Sequence, residues 1–484
     1  MHEMICVSLS ADTNDKLLAL IARVDGQPAG ANELRLDSLA EPPRVEELVA
    51  ASKKPVIVTC RSRRDGGAFS GSDAERRAIL VRAFEAGAAM VDAEAVDIPF
   101  LAPHKRDTIL IASFHDMYGT PDNLPAKVAE LVKLPADWIK FAVTHRRPAD
   151  SVKVLELIRS CPKPCIGVAM GEGGLMTRVL GPAYGSRVTY GSYATGRETA
   201  PGQPTARDLA TAYRVDRLTR DTRVYGLLGD PVAQSRGYLL HNRAFDYIDF
   251  DGVYIPLRAE NAAEFLATIP NAINLHGLSV TIPHKPEALR WTSLRSDGAE
   301  RIGAANTLTL TPDGWHADNT DLPAVFESIK AVADAQDFHL MGSQALVIGS
   351  GGTTRAVGVA LTLLGCRVTL AARNLDKAWN IATVMDWEVL DLEDAVRSDW
   401  KVVANTTSVG MMPNTERSLF PASAWHKGML AFDAVHNPPR TRFIRDAEAV
   451  GALTVDGVEM FVRQAAEQFR MWTGVEMPRI TCLT

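Results

Sequence analysis

Two lysines occupy positions from which they could act on a carbonyl group, Lys140 in the run Asp137–Val143 and Lys285 in the run Ser279–Lys285, each at the end of a strand-like stretch. Between apolar β-forming neighbours Lys140 is expected to shed solvation and lean toward its neutral amine, the form that adds to a ketone to give an imine. Lys285 is expected to stay charged and to hydrogen-bond a developing alkoxide. Around Lys140, a set of polar residues ends successive strand-like runs: Glu33 and Arg35, Arg61, Glu94 and His115, with Arg178 further on. For a hydroxylated carboxylic acid carrying a ketone, Arg178 would clamp the carboxylate and Lys140 would form the imine. His115 would move protons with Glu94 fixing its tautomer, and the outcome would be loss of water.

The elements that must position these residues are legible as an alternation. Strand-like runs at 5–8, 31–37, 56–61, 90–95, 109–115, 138–143, 165–170 and 188–192 are separated by amphipathic stretches such as 73–86, 123–134 and 149–160. Repeated strand-helix alternation over this length predicts a (β/α)8 barrel, whose active sites form at the carboxyl ends of the strands. A polar stretch at 206–222 holds a last helix and a new strand begins at Val224, which places a boundary near Asp221. The second alternation contains the apolar strand 344–348 followed by Gly349-Ser350-Gly351-Gly352 and a helical run, the opening of a nucleotide-binding βαβ unit. Backbone N–H groups there would meet a pyrophosphate. The next strand ends at Arg373 and Asn374 with Lys377 nearby and no acidic residue for a free ribose, so NADP (NADPH) is the expected cofactor.

Composition excludes several classes. The 484 residues are 46% hydrophobic and 23% charged, with a net charge of -6 and no long run of one sign. Neither nucleic acid nor a membrane is an expected partner, and small molecules are. The segment Met1–Cys6 enters a strand-like run without a leader pattern, giving an expected cytoplasmic location. Six scattered cysteines lack metal-type spacing, so they are expected to be reduced and mostly buried, with no metal.

Residues 1–215 resemble type I 3-dehydroquinate dehydratase, through Glu33–Asp37, Asp92-Ala93-Glu94, Ser113–Asp116, Lys140, Met170 to Arg178, and Ala200-Pro201-Gly202-Gln203. The resemblance implies Lys140 as Schiff-base lysine, His115 as general acid/base and Glu94 as its partner. It also implies Glu33, Arg35, Arg61, Arg178, Thr199 and Gln203 as substrate contacts, with Thr199 standing where serine is usual. Residues 222–484 resemble shikimate dehydrogenase, through Gly226–Pro231, Ser235, His241-Asn242, Ser279–Lys285, Gly303–Thr307, Asn319–Asp321, Gly349–Ala356, Asn405–Met411 and Gln464-Ala465. That resemblance implies a catalytic pair Lys285 and Asp321, substrate contacts at Ser235, Thr281, Asn306 and Gln464, and cofactor contacts at Gly349 to Gly352, Arg373, Asn374, Lys377, Thr406 and Gly457. Gly237 and Tyr238 replace a usual serine and proline, Ala372 a usual asparagine and His436 a usual tyrosine, leaving Ser235 or Tyr238 to compensate at the substrate carboxylate.

The implied architecture is a barrel at 1–220, a substrate-binding domain at 221–330 and a Rossmann NADP-binding domain at 331–484 whose last helices return to the substrate domain. The implied function is dehydration of 3-dehydroquinate to 3-dehydroshikimate followed by NADPH-dependent reduction to shikimate, by a monomer or small homo-oligomer. Alternatives are an NAD-dependent quinate/shikimate dehydrogenase in the second half, or an inactive metabolite sensor, against which retention of Lys140, His115, Lys285 and Asp321 argues.

Overall fold

Eight parallel strands open the chain: β1 Ile5–Leu9, β2 Ala31–Arg35, β3 Val56–Thr59, β4 Met90–Glu94, β5 Ile109–Asp116, β6 Trp138–Thr144, β7 Cys165–Met170 and β8 Thr189–Gly191. In this computed structural model, which describes residues 4–233 and 235–479, they form one sheet in the order β7-β6-β5-β4-β3-β2-β1-β8. A bridge between Cys165 and Ser186 brings its ends together, so the sheet is a nearly closed barrel. Met1, His2, Glu3 and Cys482 lie outside the described residues.

Strand periodicity of two decides which side chains face the barrel interior. Ala31, Met90, Ile111, Ile166 and Val168 pack there with Ile57, Cys6 and Tyr190. Two residues beyond Ala31, Met90 and Ile111 on the same faces come Glu33, Asp92 and Ser113, and Ser113 is in register with Lys140 on β6. An apolar layer thus supports a polar one toward the carboxyl ends of the strands. The helix Asp73–Glu85 is started by a capping box of Ser72 and Glu75, and Pro148 opens the helix Pro148–Ser160.

The chain falls into two compact units, one ending at His276 and the other running from Gly277 to Arg479. Beyond the barrel, the first unit holds a parallel pair of strands, Arg223–Gly229 and Gly252–Arg258, joined by the helix Gly237–Tyr247. In the second unit the hairpin Thr307–Thr311 and Gly314–Asp318 precedes a six-stranded parallel sheet. Its strands lie in the order Glu388–Leu390, Arg367–Ala371, Gln344–Ile348, Val402–Asn405, Leu430–Asp433 and Leu453–Val455. Numbered along the chain this is 3-2-1-4-5-6, the doubly wound order, whose reversal lies between Gln344–Ile348 and Val402–Asn405. Val347, Ala404 and Phe432 fill one side of that sheet and Leu346, Val403 and Ala431 the other, as strands covered on both faces require.

Candidate active sites

One cavity of about 100 Å³ at the carboxyl end of the barrel is lined by Glu33, Arg35, Arg61, His115, Lys140, Arg178, Thr199 and Gln203, together with Asp65, Met117 and Tyr190. Every expected contact of the first half except Glu94 is on that wall.

Lys140 is the third residue of β6, within the strand and not at its end, and only 6% exposed. Its surroundings are less apolar than its sequence neighbours suggest. Its Nζ donates to Asp92 Oδ2 at 2.7 Å and to the Tyr190 hydroxyl at 3.2 Å, with Glu33 Oε1 at 3.8 Å. Burial pushes the Asp92 carboxyl up, but the charges of Lys140 and Arg61 outweigh it and hold Asp92 well below the usual carboxylate range. Glu33 is fixed by hydroxyls, accepting from Ser8 at 2.5 Å and Thr59 at 2.9 Å.

His115 has a different partner from the one expected. Its Nδ1 lies 3.0 Å from Arg61 Nη1 and 3.4 Å from Asp65 Oδ2. Glu94 instead accepts from the Ser62 N–H at 2.8 Å and from Arg64 at 2.9 Å, and pairs with Arg76 at 2.7 Å. Two guanidinium groups are the stronger attraction for its charge, and they hold it away from the histidine. Asp65 was missed, although Arg61-x-x-x-Asp65 followed by Gly66-Gly67 is a legible loop just beyond β3. Arg61 joins the cluster: it donates to Asp92 and Asp65, both at 2.9 Å, and to Ser113 at 3.1 Å. Burial and then the nearby Arg61 charge lower the His115 pKa to about 4, leaving a neutral ring.

Arg178 is the outlier. It sits in the helix Leu175–Tyr184, 2% exposed, and its Nε has no hydrogen-bond partner. No carboxylate pairs with it among the described residues, and burial alone brings its pKa down to about 10. A buried guanidinium without an anion is costly unless a ligand supplies one. Arg35, by contrast, is already held by Asp37 through two bonds of 2.9 and 2.8 Å. Above the cavity, Gln203 Oε1 accepts from the Thr199 N–H and hydroxyl at 2.9 and 3.1 Å. That loop lies so close to the end of β7 that a Cβ on Gly202, at φ +68°, would meet the Gly171 carbonyl at 2.3 Å.

Ser235 belongs to the same unit; its Oγ accepts from the Gly237 N–H at 3.2 Å. Tyr238 stacks on Tyr213 with ring centroids 5.2 Å apart, so its ring is committed to packing.

In the second unit Lys285 opens the short helix Lys285–Trp291, five residues beyond the strand that ends at Val280, so it too is off the strand end. Its Nζ is ion-paired with Asp321 Oδ2 and lies 3.4 Å from Thr353 Oγ1. Asn306 Nδ2 donates to the other Asp321 oxygen at 2.8 Å and to Thr320 at 3.0 Å, while its own oxygen accepts the Thr320 N–H at 2.8 Å. Gln468, not anticipated, locks this cluster by accepting from Ser279 at 2.7 Å and donating to Thr307 at 3.0 Å. Gln464 donates to the Phe461 carbonyl of its own helix, and Thr281 is half-buried four residues before Lys285. His436 stacks on Phe461 with centroids 4.6 Å apart.

The glycine turn sits at the sheet's reversal. Gly349 has φ +138°, and a Cβ there would meet Thr406 Oγ1 at 2.4 Å. Thr354 and Thr406 hydroxyls are 2.8 Å apart and Thr406 donates to the Ile348 carbonyl, tying the turn to the fourth strand. Ser350, Gly351 and Gly352 run into the helix Gly352–Leu363, whose N-terminus suits a pyrophosphate. Arg373 and Lys377 are exposed and no ion pair occupies either among the described residues, leaving two free cations where a 2′-phosphate would come. Asn374 caps the helix Leu375–Met385 through the Lys377 N–H at 3.0 Å. Gly457 is needed for close packing, since a Cβ there would meet the Val435 carbonyl at 2.4 Å.

A family model for type I 3-dehydroquinase matches residues 5–220, one for the shikimate dehydrogenase substrate binding domain matches 227–308, and one for the shikimate 5′-dehydrogenase C-terminal domain matches 457–479. The chain is 36% identical to the bifunctional 3-dehydroquinate dehydratase/shikimate dehydrogenase, chloroplastic, of Arabidopsis thaliana, over 98% of this chain and 83% of that one. It is 36% identical to a shikimate dehydrogenase (NADP(+)) of Methanosarcina acetivorans over 53% of this chain and 94% of that one. A crystal structure of shikimate dehydrogenase in complex with NADP+ matches at 26% identity and a TM-score of 0.50, covering 54% of this chain and 93% of that one.

Proposed function

The chain belongs to the family of bifunctional 3-dehydroquinate dehydratase/shikimate dehydrogenases, and from that premise we propose which side chains carry each reaction. It is a lyase and an oxidoreductase of the shikimate pathway in one polypeptide. The first half removes water from 3-dehydroquinate; the second reduces the resulting 3-dehydroshikimate to shikimate with NADPH.

In the barrel, Lys140 adds to the substrate ketone and expels water to form an imine, with Asp92 holding the amine in place. His115, neutral and steered by Asp65 and Arg61, takes a proton from the adjacent carbon while the imine accepts the electron pair. His115 then returns a proton to the leaving hydroxyl, and hydrolysis of the imine frees Lys140 and the enone. Arg178 takes the substrate carboxylate, with Thr199 and Gln203 above it and Glu33, Arg35 and Arg61 around the ring. The observation that carries this reading is one cavity lined by an amine, a neutral imidazole and a guanidinium with no anion of its own. Borohydride reduction in the presence of 3-dehydroquinate should attach substrate to Lys140. A folded protein left unlabelled would refute the imine.

In the second half, bound NADPH supplies hydride to the ketone carbon. Lys285, paired with Asp321, gives the carbonyl oxygen its proton and stabilises the charge that develops there. Asn306, Gln464 and Thr281 hold the substrate. Gly349 to Gly352, Thr406 and Gly457 receive the dinucleotide, and Arg373, Asn374 and Lys377 its 2′-phosphate. The proposed domains are 1–220, 221–330 and 331–484, in a monomer or small homo-oligomer. The cytoplasm is the proposed compartment, since Cys6, Cys60, Cys165 and Cys366 are buried free thiols. No helix among the described residues is long and apolar enough to cross a membrane.

A further inference from the structure

We propose that Thr353 is a positioning residue for the reductase half: its hydroxyl accepts a hydrogen bond from the Lys285 ammonium and so aims the lysine at the substrate oxygen. The inference rests on the role given to Lys285 above and adds a residue to it.

An ammonium has three N–H bonds in a tetrahedral arrangement, and one carboxylate contact leaves it free to swivel. Here one N–H is taken by Asp321, whose second oxygen is fixed by Asn306 at 2.8 Å, so the anchor cannot rotate away. Thr353 Oγ1 at 3.4 Å offers the second acceptor. With two donors directed, the third has one direction left, and that is the proton the carbonyl oxygen must receive. The stem is guided as well. A Cβ on Gly352 would lie 3.2 Å from Lys285 Cδ and 3.6 Å from its Cβ, so the absence of a side chain at 352 gives the lysine its channel.

Thr353 follows the glycine turn directly, in the first turn of the helix Gly352–Leu363. The turn proposed to receive the dinucleotide therefore also sets the angle of the proton donor. Hydride source and proton source are referenced to one short segment of backbone, which is what a concerted delivery to two ends of a C=O bond needs.

The decisive variant is Thr353→Val, which keeps the shape and removes the acceptor. The expected result is a fall in reductase kcat of about threefold to tenfold, the range for an ordinary net hydrogen bond, which suits a contact as long as this one. NADPH affinity, read directly by quenching of its fluorescence, should change less than about twofold. A readout on the protein without cofactor comes from acetic anhydride labelling of Lys285, followed by peptide mass spectrometry across pH. Removing an acceptor disfavours the ammonium, so Thr353→Val should label faster than the parent at the same pH, and Thr353→Ser should restore both values. Loss of NADPH affinity with kcat intact would make Thr353 a cofactor contact and overturn the proposal. So would an unchanged labelling profile, or a Thr353→Ser chain as impaired as Thr353→Val, which would assign the effect to the methyl group. If the valine variant does not fold, Thr353→Ala must show the same direction in both readouts. Reduction at the parental rate by Lys285→Ala would instead sink the role of Lys285 itself, an outcome separate from all of these.

Discussion

Lys140 and Lys285 are nearly equally buried, at 6% and 8% exposure, and each is paired with a carboxylate, Asp92 and Asp321. What differs is the company. Lys140 stands in a strand at the wall of a cavity, with a neutral imidazole and an unpaired guanidinium lining the same space. Lys285 stands at a helix start against a glycine turn, with the Thr353 hydroxyl as its second polar contact and the Asn306 amide holding the far oxygen of Asp321. Desolvation of a lysine is therefore no guide to its chemistry here; the second ring of groups is. A histidine able to move protons suits covalent chemistry followed by elimination, whereas a dinucleotide turn suits proton delivery beside a hydride.

Variants can break this comparison, and the largest effect is expected at Lys140. Lys140→Ala should cost dehydration on the order of 10⁴-fold or more in kcat, because the covalent route disappears, while reduction in the same polypeptide stays near normal. Comparable loss in both activities would mean that Lys140 holds the chain together. Next, Lys285→Ala should lower reductase kcat by about 10²- to 10⁴-fold with a smaller change in KM. A change in KM alone would demote it to a ligand contact. Arg178→Met should raise KM for 3-dehydroquinate by roughly 10- to 150-fold, the value of a hydrogen bond to a charged group. Because the guanidinium lacks an internal anion, the same variant should be as stable as the parent or more so without ligand, measured by thermal unfolding. Destabilisation by several degrees would show that Arg178 is satisfied by the fold and not by substrate.

The eight barrel strands were legible because most are short apolar runs alternating with amphipathic stretches, and all eight lie where the alternation put them. The glycine turn was legible for the same local reason. Partner choice was not. Asp65 and Glu94 are both acidic residues near β3 and β4, and only their three-dimensional neighbours separate them: Arg76 reaches Glu94 from a helix, 18 residues earlier in sequence, and leaves His115 to Asp65. Likewise the motif Asp92-Ala93-Glu94 gives Asp92 no role by itself, since pairing between β4 and β6 depends on barrel register. Gln468 carries no local signal, because its work is to tie the last helix to residues 161 and 189 positions away. Asp65→Asn should therefore slow dehydration by about 10- to 100-fold, within the range for a group that orients a general base. Glu94→Gln should act through folding stability, by leaving Arg76 without one of its buried partners. The reverse outcome would restore Glu94 as the histidine's partner.

The smallest expected effect is also the sharpest on mechanism. His115 has its pKa lowered to about 4, by burial first and the Arg61 charge second. An ordinary histidine titrates near 6.5, so the free enzyme should keep its neutral base well into the acid range. Between pH 7.5 and 5.5, kcat/KM for dehydration should change less than about twofold on account of this group, and the acid limb should appear near pH 4. The linked effect on stability has a definite sign. The unfolded chain takes up a proton at this site as pH drops below 6.5 and the folded chain does not until about 4, so stability is fully present above 6.5 and is lost across that interval. His115→Gln should flatten that loss, seen as a smaller shift of the urea midpoint between pH 7 and 5. An acid limb near 6.5 in the parent would mean that His115 is solvated in the working enzyme, open to water as the sequence alone would allow. The reduction proposed above takes its proton from an ammonium and needs no neutral imidazole, so the limb at 4 should belong to dehydration alone, and both rates measured on one sample provide the control.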